Sequence, residues 1–205
     1  MVFLEGRNFK PLNKKKEIIS RYDSSANFYD KRYKSIQEEK YRILLDNCEL
    51  KEKLILDIGC GTGLLLEYII KSKQNQEILK PMFIAVDISG KMVSEFKKKI
   101  LTLRECSRIE LLLADIENLP FRDNSFNLIF SVTSFQNLPN ILKGIQESLR
   151  ITKSLSTIKF SILRKKLNLY RIINLLRPHV KNLEIVNNKD MEDVIIQGEL
   201  IKESI

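Results

Sequence analysis

One stretch restricts the fold more than any other: residues 54–70 read L-I-L-D-I-G-C-G-T-G-L-L-L-E-Y-I-I. Leu54–Ile58 is a short apolar run, the pattern of a parallel strand buried on both faces. It breaks at three glycines in alternate positions, Gly59, Gly61 and Gly63. Residues 64–70 are then apolar again around one charge, Glu67, and read as a buried helix. Strand, glycine turn and helix open a βαβ unit. Glycine is needed in such a turn because the backbone enters conformations closed to other residues, and because a ligand can then approach the main chain. The dinucleotide fingerprint G-x-G-x-x-G/A would need Gly or Ala at position 64, where this chain has Leu64. No G-K-S/T follows, so a phosphate-binding P-loop is excluded as well.

The spacing G-x-G-x-G, with Asp57 two residues before the first glycine, resembles motif I of the class I S-adenosylmethionine (SAM)-dependent methyltransferases. The resemblance implies a Rossmann-like doubly wound α/β fold with a seven-stranded sheet, mostly parallel and closed by a C-terminal antiparallel hairpin. It implies SAM as cofactor, with Asp57, Gly59, Cys60, Gly61 and Gly63 around its amino-acid part. Residues 82–86 are an apolar strand ending at Asp87. A carboxylate there can accept hydrogen bonds from both ribose hydroxyls, at ~1.5–3 kcal/mol each. Gly59 and Asp87 are 28 residues apart, longer than the ~20 of dinucleotide folds; the polar connection 71–80 supplies the excess. Residues 109–114 form the third strand before Asp115. In the family, an acidic residue at this place bonds the adenine amino group while its neighbour's backbone bonds the ring. Asp115 and Ile116 match, with Ile88 against the adenine face.

Upstream, the string Y-D-S-S-A-N-F-Y-D at residues 22–30 resembles a Y-D-x-x-A-x-x-Y-D segment that lies over the cofactor in small members of the family. Tyr22, Ala26, Tyr29 and Tyr33 share one face of a helix expected over residues 17–47, with a second helical segment from about 35. Tyr22 is thus a candidate cofactor contact, although tyrosines at helical spacing also serve as packing. Residues 1–16 read as a basic arm. The domain division expected is 1–47, arm and helical lid, and 48–205, the methyltransferase domain.

Residues 117–125, E-N-L-P-F-R-D-N-S, resemble the family stretch L-P-F-x-D-x-S-F-D, but Asn127 replaces the final Asp and is expected to be structural. Phe126–Val132 is the fourth strand, and Ser131 at its end is the last candidate cofactor contact. Methyltransferases acting on amino nitrogens carry D/N/S-P-P-Y/F/W here; this chain has S-V-T-S. No Pro-Cys pair supports cysteine addition to a pyrimidine. Phe135, Gln136 and Asn137 are expected to face the acceptor. Ile141–Ile151 reads as a helix, 155–163 as the fifth strand and 167–176 as a helix stopped by Pro178. Residues 183–187 and Asp193–Leu200 read as the closing hairpin. No catalytic base is evident: His179 is the only histidine and reads as a surface residue.

Composition bears on the acceptor. Net charge is +9 and pI about 9.4, which favours polyanions and makes RNA (tRNA or rRNA) or a translation-related protein an expected substrate. Lysine outnumbers arginine about two to one and the cations are scattered, which an AT-rich coding bias also produces. A small-molecule acceptor, or a non-catalytic scaffold that keeps the fold, remains open. The chain has almost no substrate-recognition insertions and apolar strands at 82–86 and 109–113, which suggests a small activator subunit as partner. Cys48, Cys60 and Cys106 have no metal-like spacing and read as reduced thiols of a cytoplasmic protein. No apolar run reaches membrane-spanning length.

Overall fold

The computed structural model describes residues 11–50, 53–72, 82–103 and 108–202. The apolar run Leu54–Ile58 is strand β1, with Ile55, Leu56 and Ile58 fully buried. A run apolar on both faces needs cover on both faces, and it lies at the centre of the sheet. Parallel to it on one side is β2 (Met82–Asp87), followed by β3 (Ile109–Leu113). On the other side are β4 (Phe126–Val132) and β5 (Thr152–Leu163), also parallel. Strand β6 (Val180–Val186) and strand β7 (Asp193–Leu200) form the antiparallel hairpin, with β7 inserted against β5. The order is β3-β2-β1-β4-β5-β7-β6. It reverses between β1 and β4, the point where open α/β sheets leave a crevice for ligand at the carboxyl ends of the strands.

Helices cover both faces. Ile55, Phe83, Leu128 and Phe130 pack with residues of α2 (Tyr29–Leu44), α3 (Leu64–Ser72) and α4 (Gly90–Thr102). Leu56, Ile58 and Ile129 pack with α5 (Ile141–Ile151) and α6 (Leu169–Leu176). The helix starts follow local chemistry. Ser89, Asn140 and Asn168 each accept a backbone N–H three residues on, which satisfies a donor otherwise orphaned at a helix N-terminus. Asn127 is structural as expected: its Oδ1 accepts the Leu54 N–H at 3.2 Å, joining β4 to the start of β1.

Several boundaries differ from the sequence reading. The N-terminal helix α1 (Pro11–Ser25) begins inside the expected arm; residues 1–10 lie outside the described residues. The helical hairpin breaks at a 3-10 turn, Ala26–Phe28, and α2 then runs unbroken through Ser35. The turn places α1 against α4 while α2 packs on α3. Strand β5 starts at Thr152, not Leu155, with a register shift between Phe126 and Leu128 absorbing the extra residues. Residues 164–166 form a 3-10 turn ahead of α6, and β6 begins at Val180. Cys106 and most of the 71–80 connection lie outside the described residues. Among the described residues, no helix is long and apolar enough to cross a membrane.

Candidate cofactor and acceptor site

The glycine turn leaves β1 in left-handed backbone: φ is 72° at Gly59, 54° at Gly61 and 79° at Gly63. The three glycines do different work. A Cβ on Gly63 would lie 2.2 Å from the Phe96 ring, so that glycine lets α4 close on the turn. A Cβ on Gly59 would strike Ser134 Oγ at 2.3 Å, so that one admits the β4 loop. A Cβ on Gly61 would meet only Tyr29, at 4.0 Å, and the open space there is what a ligand against the main chain needs.

The turn docks onto β2. The Gly59 and Cys60 N–H groups donate to the Val86 carbonyl at 2.8 and 3.0 Å. The Gly61 N–H donates to Asp87 Oδ2 at 2.9 Å, and the Ser89 N–H to Asp87 Oδ1 at 2.8 Å. Burial raises the Asp87 pKa, and these backbone hydrogen bonds offset it only in part. A desolvated carboxylate gains from further donors such as sugar hydroxyls.

A partly open cavity lies beside these groups. One wall is Gly59, Gly61, Asp87 and Ile88, with Met92 and Ile116 supplying apolar surface. The facing wall is Val132, Thr133, Ser134 and Asn137 from the end of β4, and Ile18, Tyr22 and Tyr29 from the N-terminal helices. Helix α1 is tied across the opening. Tyr22 Oη accepts from Asn137 Nδ2 at 2.7 Å, and Arg21 donates to Asn137 Oδ1 at 2.8 Å. Asp23 accepts from Ser89 Oγ at 2.5 Å, and Lys14 donates to the Leu138 carbonyl at 2.6 Å. Lys15 pairs with Asp115 at 2.5 Å and also with Glu117.

Of the residues singled out by sequence, Tyr22, Gly59, Gly61, Asp87, Ile88 and Ile116 line the cavity. Asp57, Cys60 and Gly63 stand behind it and shape the turn. Asp57 is 2% exposed, and burial, with repulsion from Asp87 second, pushes its carboxyl up to about 8. Burial likewise raises the Cys60 thiol, which is no ready nucleophile. Asp115, next to the lining residue Ile116, does not itself line the cavity; its carboxylate is held by Lys15 and by the Glu117 N–H at 2.9 Å. Ser131 is a correction: it is fully buried in β4 and does not line the cavity, and its Oγ has no hydrogen-bond partner among the described residues. Strand alternation places it on the α5 side with Ile129. Phe135 is also a correction, since it packs edge-on to Phe160 at 5.0 Å in the core. Gln136 is buried beside it, and only Asn137 of the three reaches the cavity. His179 is exposed and lines a separate groove with Arg150 and Lys202. Sequence reasoning missed Lys15, Thr133 and Leu138, because each enters the site through a partner more than 90 residues away.

These residues suit a nucleoside cofactor: an open backbone turn, a buried carboxylate at the end of β2, and an apolar slot between Ile88, Met92 and Ile116. Fold and site together define a nucleoside-binding α/β enzyme of the doubly wound class. The family model described as "Methyltransferase domain" matches residues 56–158, half of the chain. The chain belongs to this family of class I SAM-dependent methyltransferases.

Two curated relatives are similar to it. A malonyl-[acyl-carrier protein] O-methyltransferase of Hamiltonella defensa is 30% identical over 73% of this chain and 53% of its own. A ubiquinone/menaquinone biosynthesis C-methyltransferase of Rickettsia prowazekii is 28% identical over 70% of this chain and 60% of its own. The chain thus spans a little over half the length of these relatives. Among solved structures, a SAM-dependent methyltransferase from Methanococcus maripaludis superposes with TM-score 0.73 at 19% identity, over 98% of this chain and 100% of that one. A Haloferax volcanii methyltransferase, solved in complex with the Trm112 methyltransferase activator, superposes with TM-score 0.72 at 14% identity, over 92% and 99%.

Proposed function

We propose that this chain transfers the methyl group of SAM to a small acceptor enclosed beneath α1, rather than to RNA. The observation that carries this reading is the closure of the cavity by the N-terminal helix. Lys14, Lys15 and Arg21 beside the cavity are engaged in contacts within the chain. They are not arrayed for a polyanion. The names of the two curated relatives, one for a malonyl group on a carrier and one for a quinone precursor, agree with a small reacting group.

When bound, SAM supplies a methyl group already activated on a positive sulfur. The chain's own residues align and enclose. Asp87 and the Gly61 main chain hold the nucleoside side. Tyr22, Tyr29, Ser134 and Asn137 offer polar groups to the acceptor side. Alignment and exclusion of water can supply ~7–11 kcal/mol of barrier reduction. Apart from Asp87, the lining side chains include no group able to take a proton near neutral pH, because burial raises the Tyr22 and Tyr29 phenols. The acceptor favoured is therefore one that is already anionic or readily ionised, such as a carboxylate or an enol oxygen or carbon.

The test is transfer of tritium from labelled SAM into an extract, followed by ribonuclease and protease. Label that survives both treatments is the expected result; label released by ribonuclease would overturn the small-acceptor reading.

A second reading, of a partner, rests on the sheet edge. Strand β3 is the outer strand, with Leu113 66% exposed, and Met82 on the adjoining strand is 40% exposed. Open edge strands invite pairing with another chain. A small activator subunit covering this edge, as the Haloferax relative has an activator, is the partner proposed. A monodisperse chain that binds SAM fully on its own would count against it.

A further inference from the structure

Two features that proteins ordinarily avoid meet at one point of the cavity wall. Thr133 has φ 55°, a left-handed conformation that β-branched residues rarely enter. Behind it lies a buried ion pair, Lys40 Nζ to Asp193 Oδ1 at 3.0 Å, with side chains 3% and 0% exposed. Withdrawing two charges from water loses hydration that their attraction does not readily restore, so such a pair is weak evidence for stability. Strained backbone persists only where its surroundings over-determine it, and such positions cluster at ligand sites.

The contacts join the two features. Lys40 Nζ donates to Thr133 Oγ1 at 2.8 Å, and the Thr133 hydroxyl donates to Asp193 Oδ2 at 2.8 Å. Ser161 Oγ donates to the same carboxylate oxygen at 2.7 Å, and the Thr133 N–H donates to the Ser161 carbonyl at 2.7 Å. Helix α2 and the neighbouring strands β4, β5 and β7 thus all hold one residue. On its other side, the Thr133 carbonyl accepts from Gln136 Nε2 at 2.5 Å and Asn137 Nδ2 at 3.5 Å. Asn137 in turn donates to Tyr22 Oη beneath the lid.

We propose that Lys40 and Asp193 are positioning residues for the methyl acceptor: the buried pair clamps the Thr133 turn, and the turn sets Ser134 and Asn137 along the acceptor side of the cavity. This rests on the reading of the cavity as a methyl-transfer site. Among the described residues, neither Lys40 nor Asp193 lines the cavity or hydrogen-bonds to Gly59, Gly61 or Asp87; the turn meets the cofactor side through Ser134 Oγ, which donates to the Gly59 carbonyl at 3.2 Å. Turnover depends on the pair; cofactor affinity does not.

The experiment compares wild type with the double variant Lys40→Met/Asp193→Leu, which removes both charges and leaves neither orphaned. Total tritium transfer from SAM to unfractionated extract is expected to fall about 100-fold, the scale of an acceptor displaced by about 1 Å. The S-adenosylhomocysteine dissociation constant is expected to stay within about threefold, and the melting temperature at or above wild type. Amide exchange at residues 134–138 is expected to quicken, a readout that needs no acceptor. Thr133→Val should lose transfer as the double variant does, and Thr133→Ser, which keeps the hydroxyl, should retain it. These two variants keep the test open if the double variant fails to fold. Full transfer in the double variant, unchanged exchange, or loss of cofactor affinity in step with transfer would each overturn the proposal. Failure of the small-acceptor reading is a separate result: label is released by ribonuclease, while the ratio of variant to wild type remains readable.

Discussion

On the β1–β2 side of the cavity the key groups are held locally; on the β4–α1 side they are held by distant parts of the chain. Gly59, Gly61 and the carboxylate of Asp87 are fixed by bonds within a single βαβ unit, the Gly61 N–H reaching Asp87 across 26 residues. Thr133, Asn137 and Tyr22 are fixed by contacts spanning 93 and 115 residues. A locally held wall suits what all ligands of the family share. A wall assembled over long range can change its acceptor by substitution without disturbing the strands beneath.

The largest effect should come from testing whether the glycines are interchangeable. Gly63→Ala puts a methyl 2.2 Å from Phe96 at φ 79°. It should destabilise by ~3 kcal/mol or more, read as a fall in melting temperature of roughly 6–12 °C. Gly61→Ala meets nothing closer than 4.0 Å. It should lose only the ~1–2 kcal/mol of left-handed strain, yet lose cofactor binding in calorimetry because the methyl enters the ligand's space. Equal stability losses would mean that the turn is a packing unit alone.

Next in size is Asp87. Asp87→Ala should weaken S-adenosylhomocysteine by about 100-fold, the worth of two charge-assisted hydrogen bonds less the screening of a partly wet site. Burial raises the Asp87 pKa, so wild-type affinity should begin to fall on acidification above the ordinary carboxylate range. Asp87→Asn should flatten that profile in calorimetry. A profile that does not change would remove Asp87 from the ribose contact.

Asp57 sits one layer behind, and its effect is on stability. Burial, with repulsion from Asp87 second, pushes its folded pKa up to about 8 from the ordinary carboxylate value of 3.8. Its favourable contribution is therefore complete below about pH 4 and is lost as pH rises towards 8. Glu67 runs the other way. Burial opposes its ionisation, but hydrogen bonds from Lys34, Lys71 and Lys99 prevail and lower it to about 2, so its contribution is present above about pH 4.5 and lost on approach to pH 2. In thermal melts, Asp57→Asn should gain on wild type steadily from pH 5 to 8. A constant gap would show that Asp57 does not titrate in the folded chain.

The same division explains what could be read before the structure. Strands β1 and β4 and helix α5 fall at their expected residues because their signals are local: apolar runs, a cap, a glycine. The break at Ala26–Phe28 was missed because Y-D-S-S-A-N-F-Y-D keeps helical spacing through a turn that tertiary packing imposes. Motif letters also mix roles. Gly61 and Asp87 face the cavity, whereas Asp57, Cys60 and Gly63 support it, and spacing alone does not separate them. Ser131 was misplaced because its position at the end of β4 says nothing about which face it takes until the register is known. Lys40 and Asp193, 153 residues apart, carry no sequence signal at all.

The smallest expected effect tests the boundary between the two walls. Lys15 of the lid pairs with Asp115, the residue assigned to adenine by family resemblance, with side chains 22% and 27% exposed. Burial works against the lysine's charge, but Asp115 and Glu117 prevail and raise its pKa, and Lys15 in turn lowers that of Asp115. Pairs this accessible contribute ~1 kcal/mol or less and weaken with salt. Lys15→Met should therefore leave the melting temperature nearly unchanged and speed both binding and release of S-adenosylhomocysteine by less than about fivefold in stopped flow. Raising ionic strength to about 0.5 M should reproduce much of that change in wild type. If affinity instead falls by more than about tenfold, Lys15 is a structural part of the adenine pocket. Helix α1 would then belong to the cofactor wall, and the separation of a locally held half from a half assembled over long range would have to be redrawn through that helix.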